Sequence, residues 1–140
     1  MNMIDGFWFK SDLIDIEEGE EEETNPRCYG KQLSGWLRKQ LISLGYEVEE
    51  VIPDDWGWCL MCARKPYSLW VGCRSVLNES NAESKPDKNN IVWHCFVVAE
   101  ASFMKKVFGN LNTEEGVKRL SKELEAILIE ESRIELVSEP

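Results

Sequence analysis

The chain has no long hydrophobic run. Its longest uncharged stretches, such as "SLWVGC" and "IVWHCFVVA", stay at about ten residues or fewer, against the roughly 20 apolar residues that cross a bilayer. No membrane span is expected. The opening "MNMIDGFWFKSDLIDIEE" has no basic n-region, continuous apolar core or small-residue cleavage site, so a secretory signal is not expected and a cytoplasmic location is. Histidine occurs once, at His94, so any imidazole working as a general base near neutral pH must be that residue. No Gly-rich phosphate loop, nucleophile elbow or paired-histidine zinc motif is present, and the sequence predicts neither enzyme activity nor a cofactor or metal. The five cysteines, Cys28, Cys59, Cys62, Cys73 and Cys95, are an odd number without framework spacing. Four lie in apolar runs, where free thiols serve as small hydrophobes, which fits a reducing compartment.

What is present suffices for a core. At 140 residues with 43% hydrophobic content and six tryptophans, one domain spanning 1–140 is the default, and burial needs no help from metals or disulfides. The net charge of −10 is uneven: −9 over residues 1–55, +3 over 56–110 and −4 over 111–140. Such a field repels phosphate backbones and anionic lipid, so neither nucleic acid nor a membrane surface is an expected partner.

Residues Gly6 to Ile16 read as an opening strand, broken near Ser11 and Asp12. Seven carboxylates follow between Asp15 and Glu23, and 15–26 reads as a solvated, mobile acidic loop. From Pro26 to Leu44 apolar residues recur at helical spacing, with Asn25 as N-cap, Pro26 in the first position and Gly45 as the stop. "YEVEEVI" then alternates as a strand ending at Pro53. "WGWCLMCA" and "SLWVGCRSV" read as strands of a hairpin turning at "RKPY". Residues 77–90 form a second mobile polar loop, and "IVWHCFVVAEA" reads as a strand covered on both faces. A short helix at Ser102–Phe108 precedes a longer one marked by Val117, Leu120, Leu124, Ile127 and Leu128, with Asn112 as N-cap. A last strand, "RIELV", is placed to rejoin the sheet edge. The order β-α-β-β-β-β-α-β predicts an α+β fold: a largely antiparallel sheet of five to six strands with two main helices packed on one face.

Cys59 and Cys62 form a lone CxxC, yet strand positions three apart face opposite ways, and the flanking residues do not open a helix. A metal or redox role is therefore disfavoured. Cys95 adjoins His94 and must point away from it, though Cys59 or Cys73 on a neighbouring strand could approach the imidazole. A structural histidine is the favoured reading. "PDDWGWC" places two carboxylates and two tryptophans at a turn; Trp56 beside Asp54 and Asp55 would anchor an interface. The alternative is that Trp58 enters the core and Trp56 covers its edge. The acidic run lacks the alternation of a calcium loop, leaving either a solubilising loop or a docking surface for a basic partner.

The strings "ETNPRCYGKQLSGWL", "GYEVEEVIPDDWGWC" and "LWVGC" together resemble a family of small, acidic bacterial proteins of uncharacterised function, over roughly residues 7 to 130. The resemblance implies a compact bacterial cytoplasmic domain and carries no activity with it.

The leading expectation is a protein-binding inhibitor of the immunity-protein or antitoxin type that caps a basic partner through Glu20, Glu21, Glu22, Glu23, Asp54, Asp55, Trp56 and Trp58. The rival is a small-molecule-binding or thiol-dependent enzymatic domain, with a pocket lined by Trp58, Trp70, Trp93 and His94. A third is an adaptor that self-associates through a sheet edge. No oligomeric state follows from the sequence.

Overall fold

A computed structural model describes residues 2–3 (backbone only), 6–77, 86–100 and 112–140. The elements are β1 (Asn2–Met3), β2 (Phe7–Ser11), α1 (Lys31–Ser43), β3 (Ile52–Asp54), β4 (Gly57–Ala63), β5 (Ser68–Val76), β6 (Val92–Glu100), α2 (Glu114–Glu130) and β7 (Ile134–Val137). The strands form one antiparallel sheet in the order β3-β4-β5-β6-β2-β7, with β1 also pairing β6. The fold is α+β, as the apolar periodicities predict. The helix expected at Ser102–Phe108 and most of the polar loop at 77–90 lie outside the described residues.

Strand alternation divides the side chains between two faces. Leu60 and Cys62 of β4, Leu69, Val71 and Cys73 of β5, and Trp93, Cys95 and Val97 of β6 join Leu33, Leu37 and Leu41 of α1 and Leu120, Leu124 and Leu128 of α2 in one core. Both helices therefore pack on the same face. Each apolar helix stripe is about 100° wide and must be buried against something, and the branched and aromatic residues of the three central strands supply the floor. The buried run from Trp93 to Ala99 matches the expectation of a strand covered on both faces. On the second face, aromatic side chains lie over it.

The predicted boundaries shift in three places. The first helix begins at Lys31 rather than Pro26, because Arg27 has φ +68° and Gly30 φ +145°, conformations that a helix cannot contain. A Cβ at Gly30 would also meet the Cys73 carbonyl oxygen at 2.7 Å, so the chain crosses β5 here at a distance only glycine allows. Residues 46–51 are not a strand. They run as an irregular edge segment that buries Val48, with one tie from Glu49 N–H to the Met61 carbonyl. The strand that follows does not stop at Pro53 but runs through it, with Pro53 opposite Trp58. Its missing N–H is tolerated because β3 is an edge strand. The hairpin at residues 64–67, the stop at Gly45 and the rejoining strand at 134–137 fall where the sequence places them.

Candidate functional site

The acidic run is folded, and one of its carboxylates is inside the protein. Residues Glu20–Glu22 form a 3-10 turn that brings Glu20 to 1% exposure. Its Oε1 accepts from the backbone N–H of Gly30 at 2.9 Å and of Lys31 at 3.0 Å, and from the Trp58 indole N–H at 3.0 Å. Its Oε2 accepts from the Glu17 N–H at 2.6 Å. A buried carboxylate is tolerable only when its lone pairs are met in this way, and here four donors meet them. The same contacts cap α1, whose own N-cap residue, Gly30, has no side chain with which to satisfy the first free amides. Lys31 lies 5.3 Å above the Trp58 ring and pairs with Glu17 at 2.8 Å and Glu23 at 3.2 Å. Glu21 accepts from the Tyr29 hydroxyl and from the Arg27 N–H. Burial, followed by that neighbouring carboxylate, raises the Tyr29 phenol above its ordinary value.

Among the carboxylates expected to meet a partner, Glu20 is therefore corrected to a structural anchor, and 15–26 is corrected from a solvated loop to a pinned segment. Trp58 is corrected as well: at 1% exposure it faces the helix side, which is the alternative in which it enters the core. Glu21 and Trp56 are half-buried, and Glu22, Glu23, Asp54 and Asp55 are exposed. The acidic segment and the Asp54–Gly57 turn, 30 residues apart in sequence, are neighbours. Asn25 Nδ2 donates to the Asp55 carbonyl oxygen at 2.9 Å, and Trp58 reaches back to Glu20. Asp54 and Asp55 make no ion pair among the described residues; Asp54 Oδ1 only accepts from the Asp55 N–H at 2.7 Å.

The face of the sheet opposite the core carries a continuous aromatic cluster that sequence reading divided wrongly. Trp8 stacks on His94 with ring centroids 4.2 Å apart, and His94 meets Phe96 at 4.9 Å. Phe96 meets Trp56 at 5.4 Å and Trp70 at 6.1 Å, and Trp56 and Trp70 stack at 5.8 Å. Gly72 makes room, because a Cβ there would fall inside the Phe96 ring. Arg74 Nε donates to His94 Nδ1 at 3.0 Å, so that nitrogen is an acceptor and a neutral ring carries its proton on Nε2. The pocket expected from Trp58, Trp70, Trp93 and His94 does not form: Trp58 and Trp93 point to the helix side and Trp70 and His94 away from it. Strand parity in "LWVGCRSV" and "VWHCFVV" holds the signal that separates these residues. Trp8, Arg74 and Phe96 are the members of this cluster absent from the candidates read from the sequence.

The thiols are placed for packing. Cys73 and Cys95 are opposite each other in register and fully buried, facing away from His94. Cys62 faces the core, whereas Cys59 is opposite Gly72 on the other face, so the CxxC residues diverge as strand geometry requires. Burial pushes the Cys59 thiol up to about 11 and the Cys62 thiol to about 12, and raises Cys28, Cys73 and Cys95 also. A nucleophilic cysteine needs the opposite shift. No group of three or more His, Cys, Asp or Glu able to hold a metal occurs among the described residues. A groove of about 430 Å³ between α1 and α2 is lined by Trp36, Ser43, Leu44, Glu123 and Ile127 among others, and the Ser43 hydroxyl in it donates to the Gln40 carbonyl oxygen at 2.7 Å.

These features define an α+β protein with one helix-covered and one aromatic sheet face, bordered at one end by an acidic turn. Comparison of the chain with protein-family models, curated proteins and solved structures finds no match. No helix among the described residues is long and apolar enough to cross a membrane.

Proposed function

We propose that this protein is a stoichiometric protein-binding inhibitor, of the immunity-protein or antitoxin type, that caps a basic partner with the Asp54–Trp56 turn. The observation that carries this reading is the pairing of two exposed carboxylates lacking any counter-ion among the described residues with a half-buried indole at the same turn. A tryptophan backed by Trp70 and Phe96 is a rigid anchor, and the carboxylates beside it select positive charge. Glu22 and Glu23 stand on the neighbouring segment, tied to the turn through Asn25 and Asp55, and add to the field that speeds encounter at low salt. Glu20 and Trp58 hold the platform rigid and make no contact with the partner.

The test is retention of a basic protein by the tagged chain at low and high salt, with purified partner then titrated against variants. Trp56→Ala is expected to weaken the complex by about 2 kcal/mol or more, as interface anchors do. Joint Asp54→Asn and Asp55→Asn slows association and flattens its salt dependence. Retention of no basic protein at low salt, or a Trp56→Ala complex as tight as the wild type, defeats the reading.

A further inference from the structure

Arg74 stands half-buried on the aromatic face of the sheet, and no carboxylate among the described residues pairs with it. Lys31, Arg38, Arg64, Arg119 and Arg133 all have carboxylate partners. Arg74 makes no ion pair among the described residues, in a sequence with 26 carboxylates, and its one hydrogen bond runs from Nε to His94. A guanidinium partly withdrawn from water and held by a single neutral acceptor lacks the compensation that a charge in that position ordinarily has. With Nε committed to the imidazole, the two terminal amino groups remain as a planar fork. That fork matches the two oxygens of a carboxylate.

The surroundings favour an organic anion over a bare one. On the β4 side Arg74 adjoins Gly57, where a Cβ would sit 3.1 Å from the arginine Cβ, so the absence of a side chain keeps that flank clear. Trp56 and Trp70, half-buried and resting on the buried Phe96, form a contiguous set of rings on the same face, the two indoles able to stack a planar group. The net charge of −10 penalises every additional negative charge on a ligand, which favours a monoanionic carboxylate over a phosphate dianion.

The geometry points to a binding site for a small planar carboxylate, a carboxyl group carried on an aromatic ring, with Arg74 as its anion receptor, His94 as the residue that orients Arg74, and the half-buried Trp56 and Trp70, backed by the buried Phe96, as the surface on which the ring lies. This site shares Trp56 with the protein-capping reading but does not rest on it, and it needs no partner chain.

Benzoate is the probe. Calorimetric titration of the full chain is expected to show saturable one-site binding, and the indole N–H resonances of Trp56 and Trp70 to move more than that of Trp58 on the other face. Arg74→Gln abolishes binding, and Arg74→Lys weakens it at least about tenfold because an ammonium cannot form the fork. Acetate and inorganic phosphate bind at least about tenfold more weakly than benzoate, benzylamine does not saturate, and Trp70→Leu narrows the gap between benzoate and acetate. Because Trp70→Leu leaves Arg74 in place, it tests the stacking surface even should Arg74→Gln fold poorly. The proposal is overturned by non-saturating benzoate, by Arg74→Gln or Arg74→Lys binding benzoate as tightly as the wild type, or by an unchanged benzoate-to-acetate ratio in Trp70→Leu. Acetate or phosphate matching benzoate, which would mark an adventitious ion only, overturns it equally, as does benzylamine binding as tightly.

Discussion

The two acidic strings of this chain, Asp15–Glu23 and Asp54–Asp55, look alike in composition and have opposite fates. The longer string folds inward: Glu20 meets four N–H donors, Glu21 accepts from Tyr29, and Glu17 and Glu23 pair with Lys31. The shorter string stays outside: among the described residues its carboxylates meet only the Asp55 N–H, and the Asp55 carbonyl accepts from Asn25. Density of carboxylates is therefore a poor guide to where a partner would dock. The informative quantity is how many of the lone pairs the protein already satisfies.

The sharpest way to break this contrast is to remove Glu20. Glu20→Ala strands two backbone amides at the start of α1, the Trp58 indole N–H and the Glu17 amide, and is expected to cost about 3–5 kcal/mol, read as a lower midpoint in urea. Loss of less than about 1 kcal/mol would mean that the acidic run is not pinned as described. A smaller effect follows from Trp58→Phe, which takes one donor from that carboxylate and costs about 1–2 kcal/mol beyond the change in ring size. Trp93→Phe is the matched control, because the Trp93 indole N–H is buried with no acceptor among the described residues, and it is expected to cost less than Trp58→Phe in the same assay. The least effect belongs to the shorter string: Asp54→Asn and Asp55→Asn change stability by no more than about 0.5 kcal/mol, since both carboxylates are exposed and neither is in an ion pair among the described residues. A larger cost there would show that the turn is a structural element and not a free recognition surface.

The thiols sharpen the contrast between the two sheet faces. Burial suppresses their ionisation in the folded chain, pushing Cys59 up to about 11 and Cys62 to about 12 from an ordinary 9.0, so the folded state holds protons that the unfolded state releases. The stability contributed is complete below about pH 9 and is lost as pH rises from there toward 11 and 12. Denaturant midpoints should fall over that window, and Cys59→Ser should soften the fall. Disulfide reagents at pH 8 should react slowly with Cys59 and more slowly still with Cys73 and Cys95; rapid modification of any of the three would contradict their placement.

Much of the architecture was legible because period and punctuation agree. Leu33, Leu37 and Leu41 and the set from Val117 to Leu128 repeat at helical spacing, and the hairpin around Pro66 is bounded by two strand-like runs. The start of α1 was not legible. Pro26 is a plausible first helical residue, and only the left-handed Arg27 and the passage of Gly30 over Cys73 delay the helix by five positions. "YEVEEVI" alternates like a strand, yet a strand needs a partner for its amides, and that pairing is a property of the sheet and not of the segment.

By itself the sequence determined the α+β class, the two helices, the hairpin and the divergence of Cys59 from Cys62, because each follows from a short-range period of backbone geometry. Tertiary structure alone decided which carboxylate is buried, which aromatic rings of different strands meet and what Arg74 bonds to. Those outcomes depend on contacts such as Glu20 to Trp58 across 38 residues and Arg74 to His94 across 20. Hydrogen-bond satisfaction and ring stacking act between residues that only the completed sheet brings together.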